Sequence, residues 1–225
     1  MPTRRGAGRN GDGGAHVAGT RGNGDGFIPL QTYRTGMWLL VAAIVMLFAG
    51  LTSAMVVRKG LGGDWVGLTL PRILYFNTAV LIASSAALER ARRRLAGGAG
   101  TPAAGGWLML AALLGVAFAA GQVLAWIDLV RHGILASTNP SSSFFYVFSG
   151  LHGAHLLGGI VAMFYAIRAI RAIRAIGATG ATGAIGRLKS AGSTSRARSI
   201  VGAVALYWHF LTALWVYIMA LLALS

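Results

Sequence analysis

Residues 144–159 read FFYVFSGLHGAHLLGG, and this stretch decides the fold. It lies in an apolar run long enough to cross a bilayer, yet it holds two histidines and four glycines that a helix standing alone in lipid does not need. Histidine is costly in hydrocarbon, so an intramembrane imidazole faces other helices or a wet cavity. Small residues at four-residue spacing, Ser149 with Gly153 and Ala154 with Gly158, let a neighbouring backbone approach closely. The stretch is therefore predicted to be a helix in the core of a bundle, with Ser149, Gly153 and Gly158 serving helix contact.

Composition widens this to the whole chain. Of 225 residues 56% are apolar and 11% charged, and the mean hydropathy is +0.66. A soluble domain cannot hide that much apolar surface, whereas about 20 successive apolar residues cross a hydrocarbon core of about 30 Å. The net charge of +15 is not a nucleic-acid footprint, because the Lys and Arg fall between apolar runs, as they do in cytoplasmic loops. With no cysteine there is no disulfide, thiolate metal site or covalent haem attachment.

The fold class expected is all-α, a polytopic membrane bundle of five transmembrane helices. The spans are 37–57, 71–88, 106–127, 144–167 and 200–224, within a membrane domain 33–225. Residues 1–32 form a Gly-rich basic tail with little to bury, and disorder is expected there. The first span, 21 residues, is about 31 Å long at about 1.5 Å per residue. Pro71 suits a helix start, where a missing N–H costs nothing. GGAGTPAAGG after the basic cluster 90–94 reads as a flexible connector. In AIRAIRAIRAIGATGATGAIGR, Arg168, Arg171 and Arg174 are placed to reach lipid headgroups, and the Gly and Thr beyond them are expected to fray. An N-terminus inside and a C-terminus outside leaves only Arg58, Lys59, Arg72 and Arg131 on the outer side, as the positive-inside rule requires.

Phosphate loops, HExxH pairs and nucleophile elbows do not occur. The candidates for chemistry are His152, His155 and His209. The first two, three residues apart, address the same side of a helix. As ligands they would need further donors, and no carboxylate or additional histidine completes a set. The competing reading is buried neutral imidazoles hydrogen-bonded to Asn, Thr, Ser or backbone on adjacent helices, with Asn77 and Gln122 as further buried polar groups. Glu89 has Arg92 and Arg93 at positions favouring ion pairs. The dense aromatics of YWHFLTALWVY, 207–217, read first as interfacial anchors.

YWHF at 207–210, Trp215 beyond it, and GLHGAHLLGG at 150–159 resemble subunit III of the haem-copper terminal oxidases, the cytochrome c oxidase group. MWLLVAAIVMLFAGLTSA and LYFNTAVLIASS resemble two further helices of that family in the same order, and Gln122 stands where the family commonly has glutamine. The five-helix form fits bacterial members. Three positions depart from the pattern: Ile44 and Ala125 replace family glutamates, and Thr212 replaces the aspartate after YWHF.

The resemblance implies a non-catalytic subunit of an aerobic respiratory oxidase in the bacterial plasma membrane. It implies no cofactor in this chain, with haem and copper in partner subunits. It implies oxidase subunits I and II and membrane phospholipid as partners, and no nucleic acid. A subunit of a nitric oxide reductase or quinol oxidase is the nearest alternative. A small membrane cytochrome using His152 or His155 with His209 belongs to another class, and a small transporter to a third, disfavoured by the lack of an internal repeat.

Overall fold

Five α-helices make up the computed structural model, which describes residues 30–63, 65, 67, 71–97, 101–135, 137, 139–178 and 184–224. They are α1 (Leu30–Leu61), α2 (Arg72–Ala96), α3 (Thr101–Arg131), α4 (Pro140–Ala178) and α5 (Ala184–Ala223). The tail before residue 30, Asp64, and the segments 98–100 and 179–183 lie outside the described residues, and with them most of the expected disorder and fraying.

In lipid every backbone polar group must be satisfied within the chain, which leaves helices as the natural spanning element here. Four of the five are long and apolar enough to cross a membrane: Thr35–Leu61, Ala103–Arg131, Pro140–Ile173 and Gly192–Ala223. The chain is thus a multi-pass membrane protein. The shortest helix, α2, does not reach that measure by composition. It carries Glu89 and four arginines in its last turns, and its buried face includes Asn77, Ser84 and Ser85.

Helices α2 to α5 close a four-membered ring of contacts, α2 against α3, α3 against α4, α4 against α5 and α5 against α2. α1 leans on the outside of α4 and α5. It is joined to them by a Thr52–Tyr217 hydroxyl pair at 3.0 Å and by Phe48 against Phe148, ring centroids 6.0 Å apart. Most of its apolar surface, including Trp38, Leu39, Met46 and Val56, faces outward.

Several boundaries differ from the sequence expectation. α1 begins at Leu30, ahead of the apolar block at 37, and α3 begins at Thr101, which takes most of the expected flexible connector into the helix. α4 and α5, at 39 and 40 residues, are each about 60 Å long, about twice the hydrocarbon thickness. The stretch 166–199, left between the fourth and fifth spans as a loop with its Gly and Thr frayed, is among the described residues largely the continuation of these two helices. The Ala-Ile-Arg repeat is built from residues of good or tolerable helix propensity, so the backbone need not stop where the apolar run does.

Local chemistry sets the turn between α3 and α4. Gly133 adopts φ +74°, its N–H bonds Val130 O at 3.0 Å, and Ile134 N–H bonds Leu129 O at 3.0 Å. That is a Schellman termination, satisfying carbonyls that the helix end would otherwise orphan. At the start of α4, Pro140 takes the first helical position and the Ser142 hydroxyl returns to the Asn139 backbone, accepting its N–H at 3.2 Å.

Candidate functional site

The centre of the ring is built on α5. Trp208 and Trp215, seven residues and about two turns apart, are both fully buried and project from one face. Each reaches three other helices. Trp208 donates its indole N–H to Ser84 Oγ of α2 at 3.1 Å, and the Ser84 hydroxyl donates to Ala111 O of α3 at 2.8 Å. The same indole lies over Gly115 of α3 and Gly159 of α4, where an added Cβ would come within 2.8 and 3.0 Å of ring carbons. Trp215 donates to Thr78 Oγ1 of α2 at 3.0 Å. It meets Phe118 of α3 edge-on at 5.3 Å and His152 of α4 at 4.9 Å. A buried indole needs a partner for its N–H, and each has one.

These contacts correct two expectations. YWHFLTALWVY does not act mainly at the membrane interface: its tryptophans are core. The close helix approaches on α4 do not fall on Gly153 and Gly158, where an added Cβ would meet nothing within 4 Å, and Gly158 is exposed. They fall one residue on, at Gly159. Ser149 does serve helix contact, accepting the Trp126 indole N–H at 3.1 Å while donating to Phe145 O at 2.7 Å.

The histidines do not converge. His152 is 1% exposed, stacked near Trp215 with the Phe118 edge at 6.1 Å, and neither ring nitrogen has a hydrogen-bond partner among the described residues. The expected hydroxyl, amide or backbone partner is therefore not found for His152, because the side chains around it are largely aromatic. His155 instead donates Nδ1–H to Leu151 O of its own helix at 2.7 Å, where a partner on an adjacent helix was expected. Tyr207 donates to His155 O at 3.1 Å. His209 faces α2, with Ser85 Oγ bonded to Nδ1 and Glu89 Oε2 3.4 Å from Nε2.

Asn77 is buried and donates to Phe118 O at 3.0 Å, in space cleared by Gly121, where a Cβ would fall 2.4 Å from its Oδ1. Gln122, also buried, has no partner for either amide atom among the described residues. At the departures from the family pattern, Ile44 and Ala125 are buried apolar residues and the Thr212 hydroxyl donates to Trp208 O at 2.9 Å.

Glu89 lies one residue past the second apolar stretch. It receives two bonds from Arg92 and one from Arg93, all at 2.7 Å. The Arg92 guanidinium, helped by Arg93 and His209 and opposed by partial burial, holds its carboxyl down from 4.5 to about 2. The arginine pairing was expected from spacing; the link to His209 was not, since 120 residues separate the two.

Among the described residues no three His, Cys, Asp or Glu gather as a metal-binding group. The three intramembrane histidines are engaged separately: His152 lies among aromatic rings with neither nitrogen paired among the described residues, His155 bonds its own helix, and His209 faces α2. Sequence reasoning missed Gly115, Gly121 and Gly159. Their only signal was small residues opposite large aromatics, which cannot be paired before the helices are placed.

On the outer face of α3 and α4, Val123, Trp126, Ile127, Val130 and Tyr146 line an open groove of about 480 Å³ with Arg131 on its border.

Comparison with known proteins agrees with this architecture. The family described as cytochrome c oxidase subunit III matches residues 19–182. The probable cytochrome c oxidase subunit 3 of Nocardia farcinica is 28% identical, covering 81% of both chains. The quinol oxidase subunit 3 of Bacillus subtilis is 27% identical over 81% of this chain and 82% of its own. The cytochrome c oxidase subunit 3 of Synechocystis is 26% identical over 84% and 74%. With a family match over most of its length, the chain belongs to the cytochrome c oxidase subunit III family.

Proposed function

We propose that this chain is the non-catalytic subunit III of an aerobic respiratory haem-copper oxidase, packing on and stabilising the catalytic subunit in a bacterial plasma membrane. The family match across residues 19–182 carries this reading. Haem and copper, with oxygen reduction and proton translocation, belong to partner subunits I and II. This chain contributes a rigid bundle, because each buried tryptophan ties α5 to three neighbours. The outward apolar face of α1, weakly covered by the rest of the chain, supports docking against another membrane protein or lipid.

The chain crosses the membrane five times, N-terminus inside. α2 is the fifth span, its polar face turned to α3 and α5, and its arginines with the ends of α4 and α5 on the inner side. The groove bounded by Arg131 at the outer end of α3 fits a phospholipid, an acyl chain along the apolar wall and the guanidinium toward the phosphate. Relatives named for cytochrome c oxidase and for quinol oxidase are about equally similar, so the family serves both donors.

Purification from mild detergent through a tag on this chain tests the reading. Haem- and copper-containing polypeptides are expected to accompany it, and removing it is expected to shorten the working life of the oxidase. Haem absorption persisting in the isolated chain would instead make it a cytochrome.

A further inference from the structure

Gln122 on α3 and His152 on α4 are 5% and 1% exposed, and together they present four side-chain polar atoms without a partner among the described residues. They occupy one layer of the bundle. Gln122 stands one turn from Phe118, whose ring centroid lies 6.1 Å from that of His152 in an edge-to-face contact, and one turn from Trp126, whose indole bonds Ser149, three residues before His152. Unpaired buried polar groups are rare, and buried clusters of this kind are where proteins keep internal water. At this burial the chain itself covers both side chains, which favours a small polar molecule such as water over a side chain from another subunit.

We propose that Gln122 and His152 hold an internal water molecule between α3 and α4. The chemistry matches: a neutral imidazole offers one donor and one acceptor, the amide offers a carbonyl oxygen and an NH₂, and water can accept and donate on both sides. The indole of Trp215 and the ring of Phe118 cover His152, so an enclosed water would exchange only when helices part. The inference concerns the interior of this chain and does not rest on the oxidase reading.

The test uses the protein in its native assembly. A density map resolving ordered water is expected to show a peak within hydrogen-bond distance of the Gln122 amide and a His152 ring nitrogen. Infrared difference spectra between Gln122→Met and wild type, recorded in H₂¹⁶O and H₂¹⁸O, are expected to lose an isotope-sensitive water band, and His152→Phe is expected to lose the same band. A map of the wild-type protein with that layer resolved and no peak there would overturn the proposal, even if neither variant folds. A direct amide–imidazole bond in the map, or variant spectra without an isotope-sensitive change, would overturn it too.

Discussion

Replacing Gly115 by alanine tests the wedge of Trp208 most directly. The new methyl would sit 2.8 Å from two carbons of the indole, against 3.4 Å for the near limit of ordinary contact, so about 0.6 Å must be found. The ring cannot easily supply it. Its N–H is tied to Ser84, and Gly159 already brings α4 close to two other ring carbons. Overpacking of this kind costs about 1–3 kcal/mol. For a chain of this size that lowers the melting midpoint by about 2–4 °C per kcal/mol. Gly153 is the internal control, because an added Cβ meets nothing within 4 Å. There alanine is expected to be neutral or to gain up to about 1 kcal/mol from helix propensity. Thermal unfolding of the two variants in the same detergent, followed by near-UV circular dichroism, reads the difference. Trp208→Phe in the Gly115→Ala background is expected to cost less than the sum of the single changes, since the smaller ring relieves the overlap. Equal midpoints for the two alanine variants would refute the wedge.

Other outcomes follow from the same geometry. Gly121→Ala drives a methyl to 2.4 Å from Asn77 Oδ1 and is expected to break the bond to Phe118 O, costing about 1–3 kcal/mol by the same melt. Gly133→Ala forces a β-carbon into φ +74° with open space around it, so its cost of about 1–2 kcal/mol is conformational, and Gly133→Asn is expected to recover part of it. The Glu89 carboxyl is depressed in the fold, so its stabilising contribution is complete above about 4.5 and fades as pH falls toward about 2. Glu89→Gln is therefore expected to flatten the fall of the midpoint across that acid range, and an unchanged slope would remove the carboxylate from the account.

Much of this was legible in the chain before any coordinates. Apolar runs of bilayer length, divided by basic clusters and glycine, dictate membrane helices, because the hydrocarbon core tolerates little else. Glu89 and its arginines are four residues apart or fewer, and helix geometry alone brings them together. Spacing could not say which glycines meet which aromatics. On α4 the small residues 153, 154, 158 and 159 are equivalent by composition. Only the rotation of α4 about its axis against α5 assigns Gly159 to Trp208 and leaves Gly158 outside.

The same holds for the polar groups. Local sequence determined that His155 can bond its own preceding turn and that α3 stops just before Gly133, since both depend on neighbours within a few residues. The tertiary structure decided that His209 meets Glu89, that Trp215 packs on His152, and that Gln122 and His152 lie buried without a hydrogen-bond partner among the described residues. Such pairings join residues far apart along the chain. In a medium as apolar as the side chains themselves, they arise from shape and hydrogen-bond matching between finished helices rather than from any preference written in one segment.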